Sequence, residues 1–155
     1  MRKLNRTLLA APALLIGACS SAETSEPIPV EATAAVVTVV FPSHRADTLD
    51  VLVTDAATIT AAESFVRTHN GPKLVSGRIV RGTGVDSRYP FHFIPESVKI
   101  VDAAMEICDG EPMRSTQALD SFFEWSTGDR QSPSAPWCPW ESRPIAVQRV
   151  GAAHP

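Results

Sequence analysis

The chain has 155 residues, enough for one compact domain and too few for two with a linker. Hydrophobic residues make up 44% and charged residues 20%, which excludes wholesale disorder. The formal charge is −3, and setting aside Arg2, Lys3 and Arg6 leaves 11 basic against 17 acidic side chains, a net −6. A domain of that sign offers no electrostatic footprint for nucleic acid, so no nucleic-acid partner is expected.

The N-terminus has the order of an export signal. Arg2, Lys3 and Arg6 precede an apolar run from Leu8 to Ile16, too short to remain as a membrane-spanning helix. The run ends in Ile16-Gly17-Ala18-Cys19, which matches the bacterial lipobox. Residues 1–18 are therefore expected to be a lipoprotein signal peptide. Cys19 is expected to carry fatty-acyl chains such as palmitate and to become the new N-terminus. Two or more chains hold a protein stably on a bilayer where one does not. The expected location is the bacterial cell envelope, lipid-anchored and outside the cytoplasm, with the bilayer as the first partner. Residues 19–34 read as a flexible tether rich in Ser, Thr, Pro, Glu and Ala. Fifteen such residues reach roughly 45 Å at about 3.1 Å each in a polyproline-like conformation.

A single domain is expected over residues 35–151. Ala35 to Phe41 is a β-branched run that predicts a strand buried on both faces. Leu49, Val51 and Val53 alternate with polar residues, predicting a second strand with one wet face and a hairpin with the first. Thr54 or Asp55 is placed to cap a helix with Ile59, Ala62, Phe65 and Val66 on its apolar face. Thr60 and Glu63 offer an alternative start at capping-box spacing. Asn70-Gly71-Pro72 predicts its end, with Gly71 in the left-handed cap. Leu74 to Arg81 is a third strand in which Gly77 marks a bulge or a close backbone approach.

Phe91 to Ile94 predicts a short strand, interrupted at Pro95 to Ser97 and resumed at Val98 and Ile100. The apolar parity then shifts to Ala103, Met105 and Ile107, which predicts a bulge near Asp102 and a strand beyond it. A second helix is expected from Pro112 to Trp125, with Asp109 placed to cap it, then a Pro-rich loop from Gly128 to Pro136. Ile145, Val147 and Val150 form a last strand, and Pro144 places it at a sheet edge. The order β-β-α-β-β-β-α-β predicts an α+β fold, mainly antiparallel sheet with two helices and one disulfide.

With Cys19 acylated, Cys108 and Cys138 remain. An even pair in an exported protein argues for a disulfide, and a catalytic thiol near His92 is the competing reading.

Four stretches then look familiar together. Phe91-His92-Phe93-Ile94-Pro95-Glu96-Ser97-Val98 resembles the motif FHLDPxSI. Ala104-Met105-Glu106-Ile107-Cys108-Asp109 resembles AIEVCD. Trp137-Cys138-Pro139-Trp140-Glu141-Ser142-Arg143 resembles WCPWxSR, and Thr54-Asp55-Ala56 fits a TDP that opens the first helix. Over residues 36–150 the chain resembles the BP-seventy-four N-terminal domain, first met in a calmodulin-binding protein. It departs from the motifs at Ile94, Glu96 and Ala56. The resemblance implies a compact α+β domain with Cys108 paired to Cys138, and it supplies no catalytic set. Calmodulin is not an expected partner, because its targets are basic amphipathic helices. The second helix here carries Asp120 and Glu124 beside Arg114.

No metal-ligand spacing joins His44, His69, His92 and His154, and no nucleophile elbow or phosphate loop is present, so neither metal nor cofactor is expected. Trp137, Pro139 and Trp140, bracketing Cys138, form the candidate recognition site, since Trp anchors many interfaces. The expected function is noncatalytic: an interaction domain on a lipid anchor, with an unidentified protein partner. Two alternatives stand beside it. One is a peptidase inhibitor presenting the loop 132–140. The other is a small envelope hydrolase using Ser97 or Ser142 with His92.

Overall fold

The computed structural model describes residues 34–151; the expected signal peptide, Cys19, the tether before Ala34 and His154 lie outside the described residues. Eleven short elements follow in chain order. Strand β1 is Ala34–Phe41 and β2 is Asp47–Val53; helix α1 is Ala56–Thr68 and β3 is Leu74–Arg81. Strand β4 is Phe91–Phe93 and β5 is Lys99–Val101, separated by a 3-10 turn at Pro95–Ser97. A second 3-10 turn spans Glu106–Cys108. Helix α2 is Thr116–Thr127, β6 is Ala135–Trp137 and β7 is Arg143–Val150. The fold is α+β and mainly antiparallel sheet, as expected.

The first sheet has the order β2-β1-β7, so the first strand pairs with the second and with the last. The second sheet is built on β3. Its Leu74–Ser76 stretch pairs with β5, Ile79–Arg81 with β4, and Gly77–Ile79 with β6. One hydrophobic core joins both sheets and both helices. Ala35, Val37, Val39 and Phe41 supply it from β1, Leu49, Val51 and Val53 from β2, Ile59 and Ala62 from α1, and Leu119 and Phe123 from α2. The two-residue repeat of a strand and the three-to-four-residue repeat of a helix put these side chains on single faces.

Several expectations need correction. Strand β1 is not buried on both faces: Ala34, Val36 and Thr38 are only half-buried. Their face is polar in part, and the Thr38 hydroxyl donates to Asp50 Oδ1 across the hairpin at 2.7 Å. Helix α1 starts at the Asp55 cap, whose carboxylate accepts the Thr58 N–H at 3.0 Å. The left-handed residue that closes it is His69 (φ 54°), two positions before Gly71. No strand follows Asp102. Residues 102–105 are irregular, the chain turns at Glu106–Cys108, and Met105 and Ile107 face solvent. Helix α2 begins later than expected, behind Ser115, whose hydroxyl accepts the Ala118 N–H at 3.1 Å. The Pro-rich loop contains a strand, β6, which sequence patterning missed because it is three residues long and has Pro136 at its centre.

Gly77 is a close approach and not a bulge. A Cβ there would sit 2.9 Å from Phe93 Cδ1 and 3.2 Å from the Ser97 carbonyl oxygen, so only glycine lets the 95–97 turn lie against β3. The Ser97 hydroxyl completes that contact by accepting the Arg78 N–H at 2.9 Å.

The centre of the core is Trp137. It has no exposed surface and is the largest fully buried side chain. Its ring lies 5.0 Å from Phe91, 5.4 Å from Phe93 and 5.9 Å from Phe41, which links the two sheets through one side chain. Its indole N–H donates to the Gly110 carbonyl at 3.3 Å. The next residue, Cys138, is bonded to Cys108 with Cα atoms 5.1 Å apart, and the Cys138 N–H donates to the Cys108 carbonyl at 2.7 Å.

Trp137→Ala is expected to cost about 3–5 kcal/mol in chemical denaturation, and Trp137→Phe less, because the smaller change leaves a smaller void. Replacing both Cys108 and Cys138 by Ala is expected to cost roughly 3.5 kcal/mol from loss of a thirty-residue loop closure. A wild-type-like unfolding midpoint for either variant would contradict this account of the core.

Candidate functional site

The Trp-Cys-Pro-Trp segment does not form one exposed patch. Trp137 and Pro139 are buried, and of the three candidate recognition residues only Trp140 is exposed. Trp140 is 42% exposed. Its backbone N–H donates to Asp109 Oδ1 at 2.9 Å, which fixes the segment after the disulfide against the segment before it. Asp109 therefore serves this bond, and the capping role expected at α2 falls to Ser115.

Beside Trp140 lies an open cleft of about 230 Å³ between Phe41, His44, Asp109, Gly110, Glu111 and Glu141. Three carboxylates and one indole face a ligand-sized space. Glu141 Oε2 accepts the Ser43 N–H at 3.2 Å, while Glu111 is largely exposed and stands 3.8 Å from His44 Nε2. That His44 nitrogen is itself buried and makes no hydrogen bond. Gly110 fits closely here: a Cβ would press to 3.0 Å from Phe122 and 3.3 Å from Trp137 Nε1. The chemistry on offer is acceptance of positive charge next to an aromatic face. Among the described residues no three His, Cys, Asp or Glu side chains converge to hold a metal ion.

The segment disulfide-bonded to that of Trp140 adds an apolar element that sequence patterning assigned to a strand. Met105 is 72% exposed and Ile107 52% exposed. Both lie on the segment that the disulfide ties to Trp140, and the Met105 carbonyl is 3.1 Å from Cys108 Sγ. The alternation of Ala103, Met105 and Ile107 imitates a strand face. The Asp109-Gly110-Glu111-Pro112 breakers just after it were the one signal that no strand would form.

The other singled-out residues are engaged in structure. The His92 ring nitrogen Nδ1 lies 3.0 Å from the Gly82 carbonyl. The Ser142 hydroxyl is buried, donates to the Pro139 carbonyl at 2.6 Å and accepts the Val75 N–H at 3.0 Å. The Ser97 hydroxyl donates to the Ile94 carbonyl at 2.7 Å. Neither serine is hydrogen-bonded to His92, so the dyad of the hydrolase alternative is not assembled. The segment 132–140 is no free loop either, since its residues 135–137 are strand β6 in the second sheet.

A cluster of ion pairs stands over the outer edge of β2. The Asp47 carboxylate is gripped by the Arg114 guanidinium and accepts the Tyr89 hydroxyl at 3.1 Å. The Arg114 hydrogen bond holds the Asp47 carboxyl below the usual carboxylate range. Burial pushes the Tyr89 phenol up. Asp86 is buried, pairs with Arg88 at 2.6 Å and accepts the Asp50 N–H at 3.2 Å. The Arg88 hydrogen bond lowers its pKa in the same way. Asp55, the cap of α1, is lowered to about 2, first by the Thr58 hydroxyl and then by Lys99.

All three carboxylates have folded-state values below their unfolded ones, so each favours the folded state when ionised. That contribution is complete above the unfolded value of about 3.9 and is lost as the pH falls through the folded values. Thermal melts are expected to be flat from neutrality to about pH 5 and to fall steeply below about pH 4. Asp86→Asn is expected to flatten that acid limb, and an unchanged limb would remove Asp86 from the explanation.

Comparison with curated proteins and with solved structures gave no match. A family model for the BP-seventy-four N-terminal domain matches residues 35–151. The match takes in both helices, the disulfide and all seven strands but for the first residue of β1. On that coverage the chain belongs to the BP-seventy-four N-terminal domain family.

Proposed function

We propose that this protein is a membrane-anchored lipoprotein whose folded domain is a noncatalytic interaction module of the cell envelope. The lipobox ending at Cys19 supports the anchor. The observation that carries the interaction reading is the placement of Met105, Ile107 and Trp140. These exposed apolar side chains sit on the two segments joined by the Cys108–Cys138 bond. Large apolar groups on a rigid support cost little entropy to order, which suits them to anchor a partner. The acidic cleft beside Trp140 favours a partner surface that is apolar at its centre and basic at its rim.

Two outcomes are expected. Cys19→Ala releases the protein from the membrane fraction and removes the acyl mass from the mature N-terminus; continued membrane retention would argue against the anchor. A photocrosslinker at Ile107, in the lipidated protein on intact cells, captures a discrete envelope protein, and Trp140→Ala abolishes the capture without lowering the unfolding temperature. Capture that is indifferent to Trp140 would sink the module reading at this edge.

A further inference from the structure

A second cleft, separate from the Trp140 edge, has the opposite charge. It measures about 490 Å³ and is lined by Phe65, His69, Lys73, Arg143, Pro144 and Ile145. That volume is in the range of small-molecule sites. Three elements meet there: the C-terminal turn of α1, the segment entering β3 and the start of β7. Phe65 and Pro144 are buried and form apolar wall. Ile145 is 47% exposed at the rim. It sits where the β1–β7 register slips, so that Val39 pairs with Pro144 and Thr38 with Ala146. The slip leaves Ile145 outside the ladder. The His69 imidazole stands edge-on to the Phe65 ring at 6.2 Å.

The charge pattern sets this cleft apart. Six cations elsewhere are matched: Arg81 with Asp120, Arg88 with Asp86, Lys99 with Asp55, Arg114 with Asp47, Arg130 with Glu124 and Arg149 with Glu63; Arg45, Arg67 and Arg78 form no ion pair among the described residues, and no two of them line one cleft. Lys73 and Arg143 form no ion pair among the described residues, and they line the same cleft. No acidic side chain lines it with them. A bland account exists, because cations near a helix C-terminus complement its dipole. It does not account for the apolar wall or for a space that both cations border.

We infer that the cleft between α1 and β7 binds an anionic group carried on a short apolar chain, the anion held by Lys73 and Arg143 and the chain lying against Phe65, Pro144 and Ile145. The class is a phosphate monoester or a carboxylate with an alkyl body. A lipid headgroup and a free amphiphile share that chemistry.

The test uses the full chain carrying Cys19→Ser, so that no acyl group competes, titrated with hexyl phosphate by calorimetry or NMR. Saturable binding is expected, with hexyl glucoside and hexylammonium at least about tenfold weaker, and Lys73→Glu and Arg143→Glu each costing about tenfold, the scale of one lost charge-assisted hydrogen bond. Arg143→Lys is expected to retain most of the affinity. Vesicles of phosphatidylcholine with and without phosphatidylglycerol separate the sources. Binding that needs the anionic lipid and both cations supports a headgroup, and hexyl phosphate binding without vesicle binding supports a free amphiphile. The inference is overturned if the three hexyl probes bind alike, if neither probe nor vesicle binds, or if the Glu variants lower the unfolding temperature and leave binding intact.

Discussion

The fold depends on getting one indole into the middle of two sheets. Trp137 touches Phe41 of the first sheet and Phe91 and Phe93 of the second, and its only polar atom finds the Gly110 carbonyl. A buried donor without an acceptor would cost on the order of 1–3 kcal/mol, so the position of Gly110 matters as much as the ring contacts. The disulfide at the next residue holds the strand bearing that ring against the segment bearing the carbonyl. A Cβ at Gly110 would press on Phe122 of α2 and on the indole, which close on it to 3.0 and 3.3 Å. Ring, acceptor, staple and glycine form one constraint, and the site at Trp140 inherits its rigidity from it.

The two edges of the first sheet are treated differently. The outer edge of β2 is covered by polar groups from the 82–90 segment. Asp86 takes the Asp50 N–H, while Arg88 and Tyr89 both donate to the Thr48 carbonyl. Strand edges left bare invite pairing with other chains, and such plugs prevent it. Strand β7, at the other edge, uses the chemistry of its own sequence. Pro144 removes a donor, the slip at Ile145 breaks the ladder, and Arg149 is tied to Glu63 of α1. At β2 the carboxylate that covers the edge, Asp86, also has a lowered pKa, whereas at β7 the edge is interrupted by Pro144 and the register slip.

Much of this was legible in the sequence. The β1–β2 hairpin, the Asp55 cap, the special role of Gly77, the edge position of β7 and the cysteine pair follow from periodicity, turn chemistry and parity of cysteines. What was not legible shares one cause. Met105 and Ile107 have the alternation of a strand but no strand to pair with, and pairing is decided by distant chain. Residues Ala135–Trp137 have the composition of a loop, yet β3 offers them a ladder. Trp137 and Trp140 are three residues apart in one motif, and only the packed core distinguishes the buried ring from the exposed one. The cleft at Lys73 and Arg143 joins residues seventy positions apart, and no local pattern announces it.

The pairing of β1 with β7 has a further bearing on how the chain matures. A polypeptide that emerges from its N-terminal end presents Ala34–Phe41 before, and Arg143–Val150 after, every other element of the domain. The central strand of the first sheet then has one neighbour and lacks the other until the rest of the domain has been made. Contacts this distant in sequence form late and slowly. The first sheet is therefore open along one side of its central strand while every other element of the domain is being made.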